Sequence, residues 1–198
     1  PIVSLADGKT AGFEALARWR HPKLGLVAPE QFIKAAEEAG LISEIGAIVM
    51  AETARQLGIW QRTIARNRKV FVTVNASASQ LLEKEFLLTI QHIMQREVLN
   101  PGSLKIEGTE AVVMRYSDRI LTLFGTLRQL GVGLACDDFG TGFSSLSTLR
   151  NLPFDTLKLD RSFISTGKDQ DRAAHVIRTV LDLAHGLGMT VVCEGVES

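Results

Sequence analysis

Short β-branched runs alternating with longer stretches of 3.6-residue periodicity predict an α/β chain, a TIM-like (β/α)8 barrel with about one βα unit absent from the 198 residues. Three observations carry this. The runs number seven, at Pro1–Leu5, Gly12–Arg18, Lys69–Asn75, Leu104–Glu107, Gly133–Asp138, Thr156–Asp160 and Thr190–Glu194. Five or six amphipathic segments lie between them, and no Pro/Gly-rich linker, charge run or low-complexity stretch interrupts the chain, so residues 1–198 form one domain. A full barrel typically takes about 250 residues and eight strands. An open doubly wound sheet, which needs no eighth strand, is the alternative.

The helices follow from capping and periodicity. Pro29 suits a first turn, because its missing N–H would be unpaired there in any case, and Ala35, Ala36, Ala39 and Leu41 continue the apolar pattern. Gly46 to Asn67 and Gln80 to Leu99 read as long amphipathic helices. Asp118 to Leu130 and Asp171 to Leu187 each start near an aspartate and stop before a glycine, Gly131 or Gly188, as capping chemistry prefers. The chain starts at Pro1-Ile2-Val3 without an initiator methionine and already inside a strand, so it is read as a truncated or partly observed piece.

Composition bounds the function. Lysine and arginine together number 22 and the acids 22, so no long-range field favours a nucleic-acid polymer or an anionic membrane, and phosphate recognition has to be local. Cys136 and Cys193 each sit in an apolar run without CxxC spacing, which fits buried free thiols in a reducing compartment. With no apolar stretch of about 20 residues and no signal-peptide pattern, the expected location is the cytoplasm, although a longer protein could be membrane-tethered.

Function is written in where the polar residues fall. An unpaired carboxylate in a buried strand loses several kcal/mol of hydration. Yet Glu14, Asn75, Glu107, Asp137, Asp138, Asp160 and Glu194 all stand at or near strand C-terminal ends, the face on which a barrel assembles its site. One such acid alone is more readily a helix cap or a surface salt bridge. Six strand ends repeating the pattern point instead to convergent oxygen ligands for a hard divalent cation, Mg2+ or Mn2+, while the absence of histidine or thiolate partners at ligand spacing disfavours zinc and copper. His21, His92, His175 and His185 have no HxxxH relation and are not expected to act chemically. Lys158 is out of place in a strand of Thr156, Leu157 and Leu159. Beside the acids it would be held charged, able to orient a water or neutralise a phosphate oxygen, or simply to balance the carboxylates. Phe139-Gly140-Thr141-Gly142-Phe143-Ser144-Ser145 could supply backbone amides beside a phosphate, and could equally be a tight turn; it is not a Walker loop.

In order along the chain, these motifs resemble the EAL domain family. Gly12-Phe13-Glu14-Ala15-Leu16-Ala17-Arg18-Trp19-Arg20-His21-Pro22 is similar to its eponymous segment, Val74-Asn75-Ala76-Ser77 to its asparagine motif, and Cys136-Asp137-Asp138-Phe139-Gly140-Thr141-Gly142 to its double-aspartate motif and following loop. Leu157-Lys158-Leu159-Asp160-Arg161 resembles its lysine motif and Glu194-Gly195-Val196-Glu197 its late glutamate motif. The resemblance implies a phosphodiesterase that uses one or two Mg2+ or Mn2+ ions to open cyclic di-GMP to linear pGpG. Glu14, Asn75, Glu107 and Asp137 would hold one metal, Asp138 and Asp160 would serve a second, and Glu194 would complete the site on the water side. Lys158 would position the attacking water, with Glu14, Lys158 and Glu194 as the residues on which turnover depends; Arg18 would bind phosphate and Glu197 would support the substrate pocket. Glu110 would support the Gly140-Thr141-Gly142 loop, which the family couples to homodimerisation. Two cations about 4 Å apart would clamp the attacking and leaving oxygens of an in-line displacement.

The sequence departs from the family at Glu107-Gly108-Thr109-Glu110, where an apolar residue usually follows the first glutamate. Glycine there is expected to loosen the backbone and slow the reaction. The family's guanine-contacting glutamine segments fall before Pro1 and beyond Ser198. A cyclic di-GMP receptor or a regulatory protein-interaction module is the alternative function, and an unrelated barrel enzyme such as an enolase-type lyase would share the strand-end acids without the Asp-Asp-Phe-Gly-Thr-Gly sequence.

Overall fold

The computed structural model describes residues 1–63, 69–139, 153–163 and 170–196, apart from the side chains of 117 and 170–173. Its centre is a seven-stranded sheet made of β1 (Ile2–Val3), β2 (Thr10–Ala15), β5 (Phe71–Asn75), β6 (Leu104–Thr109), β7 (Gly133–Phe139), β8 (Thr156–Leu159) and β9 (Thr190–Cys193), hydrogen-bonded in that order. From β2 to β9 every pairing is parallel. The sheet curls as a nearly closed barrel, with β1 and β9 at its edges.

Helices fill the crossovers: α1 (Pro29–Glu38), α2 (Ile42–Thr63), α3 (Ala78–Leu82), α4 (Lys84–Arg96), α5 (Glu110–Arg115), α6 (Ser117–Gln129) and α7 (Gln170–Gly186). The outward side chains of the strands, Val72, Val74, Leu104, Ile106, Leu134, Cys136, Leu157 and Leu159, pack under this helical layer with Met50, Leu57, Ile90, Ile120, Phe124 and Leu127 in one continuous core. Strand residues one position over point into the barrel, so the period-two alternation divides each strand between core and site. No helix among the described residues is long and apolar enough to cross a membrane.

The structure corrects several boundaries. β1 runs antiparallel to β2, so the sheet is not wholly parallel. The expected strand from Gly12 to Arg18 ends at Ala15, and a small hairpin of β3 (Trp19–His21) and β4 (Gly25–Val27) follows, turned by His21, whose Nδ1 accepts from the Lys23 and Leu24 amides at 3.1 and 3.2 Å. Its three-residue strands are too short to register as period-two runs. The predicted helix from Gln80 breaks at Glu83, whose extended backbone (φ −77°, ψ 142°) closes α3 and opens α4. Ser77 explains α3: its hydroxyl accepts from the Gln80 amide while the Gln80 side chain accepts from the Ser77 amide, a reciprocal cap. The expected stops at Gly131 and Gly188 are present, at φ +83° and +75°; the amides after them, Val132 and Met189, reach back to Leu127 and Ala184 carbonyls at 3.0 and 2.9 Å.

Gly108 has a defined place in the sheet. It stands in the middle of a regular parallel ladder, paired with Cys136, and is buried. A Cβ there would lie 3.4 Å from the Phe124 ring and 3.7 Å from Leu81, so Phe124, itself fully buried, fills the volume that a larger side chain would claim. Gly108→Ala should therefore fold normally and gain about 0.4–1 kcal/mol from the stiffer unfolded chain. Gly108→Ile should lose about 1–3 kcal/mol by overpacking against Phe124. Urea unfolding of the two variants checks both; equal stability of Ile and Ala would show that the space is open.

Candidate active site

The inward alternation of the strands sets polar groups in tiers. Glu14 of β2, Asn75 of β5, Glu107 of β6, Asp137 of β7, Lys158 of β8 and Glu194, just past β9, rise on the C-terminal side of the sheet. Below them, Lys105 ion-pairs with Asp155 and donates to Thr156 Oγ1 at 2.7 Å, closing the N-terminal end. Lys105, Thr73 and Thr156 were not singled out from sequence. Their signal is the same alternation, two residues before Glu107, Asn75 and Lys158.

Lys158 is the focus of the upper tier. Its ammonium lies 2.8 Å from Glu107 Oε2, 2.8 Å from Glu194 Oε1, 3.1 Å from Asp137 Oδ1 and 3.7 Å from Glu14 Oε1. Asn75 joins the group through Glu14, its Nδ2 donating to Oε1 at 2.9 Å. The carboxylates are graded in exposure: the Glu107 side chain is 1% accessible, Asp137 17%, Glu14 29% and Glu194 34%. Glu107 is thus the floor of the site and Glu194 its open rim.

Burial and charge pull these groups in opposite directions. Desolvation pushes the Glu107 carboxyl up to about 7, although the Lys158 charge and hydrogen bond pull it down. For Lys158 burial disfavours the ammonium, but Glu107, Glu194 and Asp137 together outweigh it and hold the group well above the ordinary lysine range. Lys158 is therefore a permanent cation. Burial, then Asp137 and Asp160, raise Asp138.

Asp137 and Asp138 are consecutive, and a regular strand would send them to opposite faces. Here β7 carries one more residue than β8 between Cys136 and Phe139, and Asp138 takes φ +54°. This left-handed conformation costs about 1 kcal/mol or more for a residue with a Cβ, and aspartate is among the few that tolerate it. The bulge keeps Asp138 within electrostatic reach of Asp137, Asp160 and Lys158. Asp160 Oδ1 accepts from the Ser162 amide at 2.9 Å, capping a 3-10 turn at Arg161–Phe163, and the Ser162 side chain first and this amide second hold its carboxyl below the usual carboxylate range. The capping role expected of a lone acid is realised there.

The remaining predicted residues are less central. Arg18 lies past β2, exposed, with Nη1 donating to the Ala17 carbonyl at 2.9 Å. Glu110 is buried at the first turn of α5. Gly140, Thr141, Gly142 and Glu197 lie outside the described residues. His92, His175 and His185 sit exposed on helices, away from any predicted site position. Cys136 is fully buried, its thiol pushed up to about 12 by desolvation, and Cys193 is half-buried and also raised by desolvation; neither is in a disulfide.

The donor set suits a hard divalent cation. It offers oxygen alone, its acids outnumber the single ammonium, and Glu107 Oε1 is buried without a hydrogen-bond partner among the described residues. Among those residues no three acidic, histidine or cysteine side chains are gathered around one metal position; the Lys158 ammonium holds the centre.

A family profile described as the EAL domain matches residues 1–198. The chain belongs to the EAL domain family. This EAL domain is 39% identical over 198 residues to the cyclic di-GMP phosphodiesterase NbdA of Pseudomonas aeruginosa, a match covering 100% of this chain and 25% of NbdA. It is 39% identical over 199 residues to the bifunctional diguanylate cyclase/cyclic di-GMP phosphodiesterase MucR of the same organism, covering 100% of this chain and 29% of MucR. The chain thus spans less than a third of the length of these curated relatives. Among solved structures, the PaMucR phosphodiesterase in complex with c-di-GMP superposes with a TM-score of 0.90 at 37% identity, over 100% of this chain and 79% of that one. The fold of this EAL domain is accordingly that of the EAL barrel.

Lys158 should be as much a structural element as a chemical one. Lys158→Met should cost about 3–5 kcal/mol in chelator, because it leaves buried Glu107 and its neighbours uncompensated. A chemical-denaturation midpoint unchanged from the parent would show that the carboxylates do not need the ammonium.

Proposed function

We propose that this EAL domain is a phosphodiesterase that opens cyclic di-GMP to linear pGpG by in-line attack of an activated water, with Mg2+ or Mn2+ as cofactor. The observation that carries the reading is the convergence of four strands' carboxylates and Asn75 on one mouth, around a permanently charged lysine. The named activities of NbdA and MucR and the cyclic di-GMP in the PaMucR complex support the choice of substrate.

Glu14, Asn75, Glu107 and Asp137 would hold one cation, with Asp138 and Asp160 available to a second. When bound, such ions would supply an acidified water and neutralise charge growing on the phosphate oxygens. Lys158, held charged by the surrounding carboxylates, orients the water and stabilises negative charge. Glu194, the most exposed of the lysine's partners, is the acid placed to take the water's proton from the open side. Arg18 contributes a fixed positive charge for a phosphate beside β2, and Glu197 belongs to the substrate pocket. Glu110 supports the Gly140–Gly142 loop. On the strength of the family resemblance, the domain works as a homodimer in the cytoplasm.

The test is to incubate the protein, extended on both sides of residues 1–198, with cyclic di-GMP and Mg2+ or Mn2+, and to follow pGpG. Turnover should require the metal and vanish in chelator. Tight binding of cyclic di-GMP without turnover would replace the enzyme by a receptor. Glu14→Ala should lose turnover to background with a cooperative unfolding transition retained; parent-like rates in that variant would overturn the metal assignment.

A further inference from the structure

Three buried polar atoms of the site have no hydrogen-bond partner among the described residues; Asp137 Oδ1 has the Lys158 ammonium 3.1 Å away, and the other two are complementary. One is Thr73 Oγ1, on a residue 1% exposed, and the other is Glu107 Oε1, also 1% exposed. Thr73 faces the barrel interior, one pleat below Asn75, with its Cα in register between Glu14 of β2 and Lys105 of β6. Glu107 stands on the neighbouring strand opposite Asn75. The other groups nearby are already engaged. Lys105 turns down to Asp155 and Thr156, Glu14 takes the Asn75 amide, and Lys158 takes Glu107 Oε2. A hydroxyl and a carboxylate oxygen left orphaned inside a protein each lose about 1–3 kcal/mol, so the two are driven together.

We infer that Thr73 is a positioning residue for Glu107, its hydroxyl donating to Oε1 while Lys158 holds Oε2. The two bonds fix the plane of the least accessible carboxylate in the site. An oxygen has a second lone pair, so Oε1 in this arrangement still faces the mouth with acceptor capacity to spare. Glu14 and Glu194 are partly exposed and can take water as a partner, whereas Glu107, 1% accessible, depends on a protein neighbour for its free oxygen. The consequence for metal binding rests on the function proposed above, whereas the Thr73–Glu107 bond does not.

The experiment therefore has two arms. In the first, Mn2+ binding to the full chain is measured by titration calorimetry. Thr73→Val, equal in shape but without a donor, should weaken Mn2+ about 10–100-fold, as loss of a partner that orients a ligand typically does. Thr73→Ser should stay close to the parent. In the Glu107→Gln background the Val change should have little further effect. In the second arm, run in chelator, denaturation midpoints of the Thr73→Val, Glu107→Gln and double variants should be non-additive. Additive midpoints, or equal behaviour of Val and Ser, would overturn the positioning role. If the parent binds no Mn2+ while the chelator cycle is non-additive, the metal reading fails and the positioning role stands. Should Thr73→Val not fold, Thr73→Ala takes its place in both arms.

Discussion

The ammonium of Lys158 sits where the strands of the barrel converge. Through it β8 is tied to Glu14 of β2, Glu107 of β6, Asp137 of β7 and Glu194 beyond β9, and through Glu14 to Asn75 of β5. Every parallel strand in the sheet therefore delivers one group to the same cation. An ion cluster this deep is seldom the most stabilising way to fill a barrel, since desolvating the charges offsets much of their attraction. Its value lies in arrangement: each carboxylate is held at a defined height, and the negative charge left over is aimed at the mouth.

Below this cluster, the Lys105–Asp155–Thr156 group performs a simpler duty. It closes the N-terminal end of the barrel with a pair that satisfies itself and also receives the Leu134 amide on Asp155 Oδ2 at 2.8 Å. The two lysines stand on inward positions of neighbouring parts of the sheet, yet their surroundings differ. Lys105 meets one carboxylate and is nearly neutralised. Lys158 meets four, and the imbalance leaves the upper end with excess negative charge.

Local backbone departures serve the same end. The bulge in β7 and the left-handed Asp138 bring a second aspartate toward a mouth that a regular strand would reach with only one. Gly108 is the reverse case. Its missing side chain leaves space that Phe124 fills from the helical layer, while β6 keeps a regular parallel register with β7.

Much of this was legible in the sequence because burial makes polar residues conspicuous. Acids at the ends of apolar runs, and a lysine inside one, stand out when the strand period is two, so Glu14, Asn75, Glu107, Asp137, Lys158 and Glu194 could be named before any coordinates, as could the α/β barrel and the helix stops at Gly131 and Gly188. The sequence could not show which acids meet. Distances such as the 2.8 Å from Lys158 to Glu107 and to Glu194 depend on register between strands more than 30 residues apart, and register is a property of the assembled sheet. Asp160 reads like the other acids in sequence, and only the structure shows that its Oδ1 also accepts from the local Ser162 amide. The short hairpin, the antiparallel β1 and the break at Glu83 escaped prediction because each is decided by two or three residues, too few to establish a period. Thr73 escaped because a threonine in a strand is ordinary until its neighbours are known. Sequence alone determined the chemical inventory and the side of the barrel on which it is displayed. Tertiary structure decided the pairing, since only packing fixes which buried charges face one another and which oxygen is left over.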